Sequence, residues 1–428
     1  MKIKDLIIYF KQKLFSFLLW NYTGIFIGMY LEVKVKNSYF FKKVKFSKKQ
    51  NIENSLSAGC DEFVVKNVLF VVHWLELGGA ESCALNALKM AHGQGYVCYV
   101  VSTVPSHNNE IENYKKYAEK VLDYSDASFQ KTFCDRIECF IKINNIEVVH
   151  IHHSSSMYHA LPHIKSRFQN IKIVDTTHIV EYGNGGFPVL SAKFSDFIDL
   201  HNVISNNLIS VIKDFYYDLY NRSINKNKFY LTYLPSLSNI KPHNIDYENP
   251  NENSNIVFYG RFVMQKLPFL FITIMEKYFT LNPNVNNNAL IYGDGYMGEN
   301  ILKRINKSKF KNKILYKGRC DDKREVFKNT KVLFICSMNE GLSLTAYEAL
   351  CNNVVPISTD VGAQNELISD ECLIPLNKDI IRNSIKIIKK LLSDGAYYDE
   401  ILQKNIDKLN NIRNFEFNDQ SITKMYQK

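Results

Sequence analysis

From residue 66 onward the chain alternates short apolar runs with amphipathic stretches. KNVLFVVHW, YVCYVVST, IEVVHIHH, KIVDTTH, NVIS and KFYLTYLP read as strands, with helix-like segments between most of them. Runs this apolar, spaced this way, are the βαβ pattern of a parallel sheet covered on both faces. The polar stretch SLSNIKPHNIDYENPNENSN, residues 236–255, then breaks the alternation with Pro, Asn and charge, so a linker is expected at 241–254. The pattern restarts with NIVFYGRF, NNALIYGDG, KILYKG, KVLFICS and VVPISTD. It predicts an α/β chain of two Rossmann-like doubly wound domains facing a cleft, over residues 61–240 and 255–400, with a helical segment at 401–428. A length of 428 residues suits two such domains. In doubly wound sheets ligands sit beyond the carboxyl ends of the strands.

Charge changes the picture at one end only. Of the formal net charge of +10, residues 1–50 carry +9 (eleven Lys against Asp5 and Glu32) and the other 378 residues +1. The body is nearly neutral, so nucleic acid is not an expected partner. Residues 14–31, LFSFLLWNYTGIFIGMYL, hold no charge and are flanked by lysines. Their length only reaches the lower limit for a membrane span, and no small-residue cleavage site follows. Two readings stay open for residues 1–60. One is an anchor on an anionic membrane surface, each lysine contributing about 1 kcal/mol there; the other is a helix packed on the body with a solvated basic edge. Nine scattered cysteines without a C-x-x-C pair read as free thiols in a reducing compartment. A cytoplasmic protein, peripheral on the inner face of the membrane if the anchor reading holds, is therefore expected.

The strand ends carry the candidate chemistry. After the first strand, LELGGAES places Gly78 and Gly79 before a helix start, where free N–H groups accept an anion; such a pair is equally ordinary turn chemistry. The second domain's first strand ends in GRFVMQK, and the cations Arg261 and Lys266 suit a diphosphate, unless they are merely solvated. IYGDGYMGEN contains G-x-G-x-x-G at Gly293, Gly295 and Gly298, with Asp321 and Asp322 farther on, which admits a dinucleotide-binding reading. That fingerprint normally follows the first strand of its domain, and here it does not. SMNEGLSLTAYEAL sets Glu340 in the loop before a helix expected near Ser343, and Glu348 inside that helix. Carboxylates accept from hydroxyls and helix starts accept phosphate, so the pair suits a sugar joined to a nucleotide diphosphate. HIHH offers His150, His152 and His153. On a strand the first two share a face and the third points away, with no carboxylate or Cys at ligand spacing, so a structural or cleft-edge role is expected.

The ordered set GGAE (78–81), GR-x4-K, GDG (293–295), EG-x6-E and STDVGAQNELI (358–368) resembles the family-4 retaining glycosyltransferases of the two-Rossmann GT-B fold. The resemblance spans roughly residues 66–390. It implies a hexosyltransferase-type enzyme that moves a sugar from a nucleotide-diphosphate donor to an acceptor hydroxyl, needs no metal or other cofactor, and serves surface glycan synthesis (capsule, lipopolysaccharide or exopolysaccharide). The acceptor would be a glycan or a lipid-linked glycan. It implies that Arg261 and Lys266 bind the diphosphate, Glu348 the ribose, and Glu340 the donor sugar together with the Gly341 and Leu342 backbone. Gly78, Gly79 and Gly293 would line the donor site, and His178, in DTTHIVEYGNGGFP, would face it from the first domain. The catalytic set so implied is Glu340, His178, Arg261 and Lys266. A nucleotide-sugar epimerase of the same fold and a non-catalytic binding partner are the rival readings. Four departures stand out: Leu267 and Asn353 replace usual glycines, Tyr296 a usual proline, and Leu342–Ser343 a usual Phe–Gly. Asn tolerates a left-handed backbone, so its turn is expected to survive.

Overall fold

The computed structural model describes residues 67–76, 78–126, 130–180, 186–233, 254–320, 322–415 and 418–427. The expected N-terminal anchor lies outside the described residues, as do residues 241–253 of the expected linker and Asp321.

The first domain is a seven-stranded sheet with strands β1 (Asn67–Val72), β2 (Val97–Ser102), β3 (Lys120–Asp123), β4 (Val148–His152), β5 (Lys172–Thr177), β6 (Leu200–Val203) and β7 (Phe229–Leu231). Its order is β3-β2-β1-β4-β5-β6-β7, all parallel. The second sheet has six strands: β8 (Asn255–Tyr259), β9 (Ala289–Tyr292), β10 (Ile314–Gly318), β11 (Thr330–Ile335), β12 (Val355–Thr359) and β13 (Leu373–Ile374), ordered β10-β9-β8-β11-β12-β13 and again parallel. Both sheets are thus doubly wound Rossmann-like layers. Each reverses its winding at one place, between β1 and β4 in the first sheet and between β8 and β11 in the second, and a crevice opens beyond the strand ends there.

Side-chain alternation explains why the first sheet needs cover on both faces. Val68, Phe70 and Val72 pack with Ala84, Ala87 and Leu88 of the helix Gly79–Gly93, while Leu69 and Val71 join Phe133, Ile137 and Ile141 of the helix Gln130–Ile143. The first of these faces receives a distant helix as well. Asp419–Tyr426 buries Ile422, Met425 and Tyr426 completely in that cluster. Its start is fixed by a capping box between Asn418 and Ser421. The preceding helix, Gly395–Arg413, runs across residue 400 and packs with Leu344–Cys351 and β12 of the second domain.

Asn353 does take a left-handed conformation, φ 56°, and Leu267 takes one as well, φ 45°. A left-handed Leu costs about 1–2 kcal/mol. At Leu267 burial of the side chain, 5% exposed, and the Pro268 helix start that follows it offset that cost.

Candidate active site

The second domain's reversal point is built by two loops that are laced together. After β8 the chain runs through Arg261 to a short turn, Met264–Lys266; after β11 it runs through Ser337 and Glu340 to the helix Leu344–Cys351, capped by Ser343. Met338 N–H donates to the Gln265 carbonyl at 2.8 Å, and Gln265 Nε2 donates to the Asn339 carbonyl at 2.9 Å. Held so, Lys266 Nζ reaches Glu340 Oε1, and Ser337 Oγ donates to the same oxygen at 2.5 Å. Glu340 is only 6% exposed, so its charge depends on these two donors. Arg261 is exposed, and its side chain makes no ion pair among the described residues, which leaves its fork available to an anion.

Gly293 and Gly295 have a different reason to be glycine from the one a dinucleotide fingerprint supplies. A Cβ at Gly293 would lie 1.9 Å from the Gly260 carbonyl oxygen, and one at Gly295 2.7 Å from that of Phe262; both have φ near 140° (139° and 144°). They let the β9 loop press on the β8 loop, where Phe262 N–H donates to the Asp294 carbonyl at 2.6 Å. The close approach is to the chain itself, and it shapes the wall beside Arg261.

The first domain meets this site through His178. A Cβ on Gly341 would sit 2.1 Å from the His178 carbonyl oxygen, and Val180 N–H donates to the Glu340 carbonyl at 3.2 Å. Gly79 approaches the same helix, its Cβ position lying 3.5 Å from Leu344, and Leu342, next after Gly341, is buried. Gly78 is filled from its own helix: the Glu81 carboxylate, which accepts the Trp74 indole N–H at 2.7 Å, lies 2.1 Å from where its Cβ would be. A second tie crosses the cleft at Glu366. Its carboxylate accepts the backbone N–H groups of Asn206 (3.1 Å) and Asn207 (2.9 Å) at the start of the helix Asn206–Tyr220, and the Tyr233 hydroxyl at 2.6 Å.

The histidines form one buried chain, and here the strand-alternation expectation is corrected. β4 ends at His152, and His153 turns away in a left-handed conformation (φ 55°), so its Nε2 accepts the backbone N–H of His178 at 3.0 Å. His152 Nδ1 is hydrogen-bonded to His178 Nε2 at 3.0 Å, and both residues therefore converge on His178. His150 binds the Tyr426 hydroxyl (2.8 Å) and Thr176 (2.7 Å). Among the described residues, His178 Nδ1 and His152 Nε2 are buried without a partner.

Burial pushes His150 and His178 down to about 3, opposed at both by Asp175, and it holds His152 and His153 well below the usual range, with neighbouring histidines adding to it. Such groups are neutral when folded and take up protons when unfolded, so their stabilisation is complete above about pH 6.5 and is lost as pH falls toward 3. His150 and His178 each contribute about 1.4 kcal/mol per pH unit across that window, and His152 and His153 act in the same direction. Thermal melts followed by circular dichroism should therefore show the melting point falling steeply from about pH 6, with unfolding complete by about pH 4. A melting point unchanged across that range would sink this account.

Glu348 is also buried, 9% exposed, on the helix Leu344–Cys351. Its Oε1 is 3.6 Å from Lys323 Nζ, while Oε2 is buried with no partner among the described residues. Burial raises its carboxyl above the usual range and Lys323 pulls it back. Lys323 in turn lies over the Tyr259 ring, 4.2 Å from its centroid, and bonds the Tyr259 hydroxyl. Sequence reading missed Lys323, Tyr259, Ser337 and Glu366, since none has a local signal.

Known proteins give this geometry its context. Residues 241–408 match the model of the family described as Glycosyl transferases group 1. No curated protein matches the chain. A glycosyltransferase from Rickettsia africae ESF-5 is similar in structure, with a TM-score of 0.64 at 17% identity over 84% of this chain and 98% of that one. Anabaena HepE in complex with UDP gives 0.63 at 14% identity, over 84% and 97%. The apo form of the lipopolysaccharide outer core galactosyltransferase WaaB gives 0.59 at 14%, over 84% and 98%. The second domain is therefore similar to the group 1 glycosyl transferases over residues 241–408, and the chain as a whole has the GT-B fold.

Proposed function

We propose that the chain is a retaining, family-4 type hexosyltransferase that moves a sugar from a nucleotide diphosphate to an acceptor hydroxyl. The observation that carries the reading is the buried Glu340 carboxylate, held by Lys266 and covered from the other domain by the His178 segment, with exposed Arg261 on the adjoining loop. In this reading Arg261 and Lys266 take the diphosphate, and Glu340 with the Gly341 and Leu342 backbone takes the donor sugar. Glu348 takes the ribose hydroxyls. The Gly78–Gly79 turn and His178 close the site, and Gly293 shapes its wall.

The bond from the anomeric carbon to the phosphate oxygen breaks while the acceptor oxygen bonds the same face, and the acceptor's proton passes to the leaving phosphate. Two fixed cations stabilise the charge that develops there, and closure supplies position. That role of Arg261 and Lys266, and the lack of a D-x-D in the sequence, support a reaction that needs no metal cofactor. HepE has been solved with UDP and with UDP-glucose, so uridine diphosphate sugars are the first donors to test. The acceptor in this proposal is a growing surface glycan or its lipid carrier, met at the cytoplasmic face of a membrane through the basic residues 1–50. Among the described residues no helix is long and apolar enough to cross a membrane.

The test is a thermal-shift screen without metal against UDP, GDP, ADP, their sugar conjugates and NAD. A ligand at about 100 times its dissociation constant should stabilise by about 2.7 kcal/mol. Glu348→Gln should weaken the nucleotide by about 10- to 100-fold, the loss of a charge-assisted hydrogen bond. The same variant should melt higher than wild type at neutral pH, because the raised carboxyl makes ionisation unfavourable to the fold. A shift with NAD alone, or with nothing, overturns the proposal, and product formed from donor without acceptor would point to an epimerase.

A further inference from the structure

We infer that Lys323 is a positioning residue for nucleotide binding: it takes one oxygen of Glu348 and leaves the other facing the ligand. The inference rests on the nucleotide-sugar reading and adds to it a residue that no motif marks. Three contacts fix the arrangement. Lys323 is the first residue of the helix Lys323–Phe327, whose preceding Asp322 accepts the Arg324 N–H at 2.9 Å, so its stem leaves from a defined point. Its ammonium is then held over the Tyr259 ring and by the Tyr259 hydroxyl, which also donates to the Cys320 carbonyl at 3.4 Å. Tyr259 ends β8, one position before the Gly260–Arg261 turn, so the same strand end sets both the diphosphate cation and the tether of Lys323.

With Oε1 of Glu348 drawn to Lys323 at 3.6 Å, the other oxygen is buried and has no partner among the described residues, an expense that a ligand hydroxyl would relieve. Lys323 is the charged group that bears on this carboxyl. Tyr259 faces it through Lys323, and from the helix Gly395–Arg413 the Arg413 guanidinium reaches the Tyr347 hydroxyl and the Cys351 sulfur on the same helix as Glu348. Without Lys323 nothing opposes the effect of burial, and the carboxyl keeps its proton to higher pH. A protonated Glu348 loses charge-assisted acceptance from hydroxyls.

The experiment is a calorimetric titration of the full chain with UDP, GDP and ADP from about pH 6 to about pH 9, on wild type, Lys323→Met and Lys323→Arg. The ratio of each variant's affinity to that of wild type cancels the titration of the diphosphate. Lys323→Met should bind about tenfold more weakly at the acid end and converge on wild type at the alkaline end, where the Glu348 carboxyl is ionised with or without the ammonium beside it. Lys323→Arg should follow wild type. A ratio for Lys323→Met that stays constant with pH, whether unity or not, overturns the inference while leaving the nucleotide site standing. A wild type that binds none of the three diphosphates overturns both.

Discussion

Gly341→Ala should lower sugar transfer by about 100-fold or more while both domains stay folded. The new methyl would lie 2.1 Å from the His178 carbonyl oxygen and 3.2 Å from Ile204, both belonging to the other domain. Gly341 is not in the left-handed region, so space rather than backbone conformation demands glycine here. The loop cannot retreat either: a Cβ at Gly362 would lie 2.0 Å from the Glu340 carbonyl oxygen, so the chain behind is equally tight. Relief must come from the cleft opening, which moves His178 and the Gly79 turn away from Glu340. The check is a transfer assay beside solution scattering and circular dichroism. Normal secondary structure, a larger radius of gyration and a lost rate are expected. A variant that transfers at the wild-type rate would show that the closed approach of the two domains is not the reacting form.

Lys266→Ala is expected to cost transfer about 100- to 1000-fold, the size seen when one charge-stabilising donor is removed. It should also destabilise the fold by about 1–3 kcal/mol, because Glu340 stays buried with only Ser337 to hold it. The two losses separate in a double variant. Lys266→Ala with Glu340→Gln should recover much of the melting point and none of the transfer. Binding gives a second check, since the alanine variant should weaken a nucleoside diphosphate far more than the nucleoside alone. Equal weakening of both would mean that Lys266 does not meet the diphosphate.

Most of the strands, though not their order in the sheets, follow from apolar runs that have no other use than burial. β4, for instance, is buried at every position and reads so. β3 and β13 did not read as strands: Lys120–Asp123 offers two apolar residues on a half-exposed edge, and Leu373–Ile374 is too short for any period. In the candidate site, the meeting of Lys266 with the Glu340–Gly341 loop was legible because each of the two loops keeps a local spacing. Lys323 was not, for its partner Glu348 comes from another strand-to-helix unit and only the parallel winding brings them together. Nor was Glu366, whose partners lie at Asn206 and Tyr233 in the other domain. The G-x-G-x-x-G match, set aside in the sequence for its place in the domain, has a physical origin at two of its positions: Gly293 and Gly295 are glycine because the neighbouring loop leaves no room for a Cβ.

The helix Asp419–Tyr426 makes the first domain discontinuous in sequence, and this sets an order of events during synthesis. His150 meets the hydroxyl of Tyr426 across 276 positions of chain, and Val68, Phe70 and Val148 share a cluster with Ile422 and Met425. A ribosome therefore delivers the whole second domain before the earliest sheet can finish covering this face. Until then the part of that face beside the helix Gly79–Gly93 that Ile422, Met425 and Tyr426 cover stays open and apolar, and the domain made first is the one completed last.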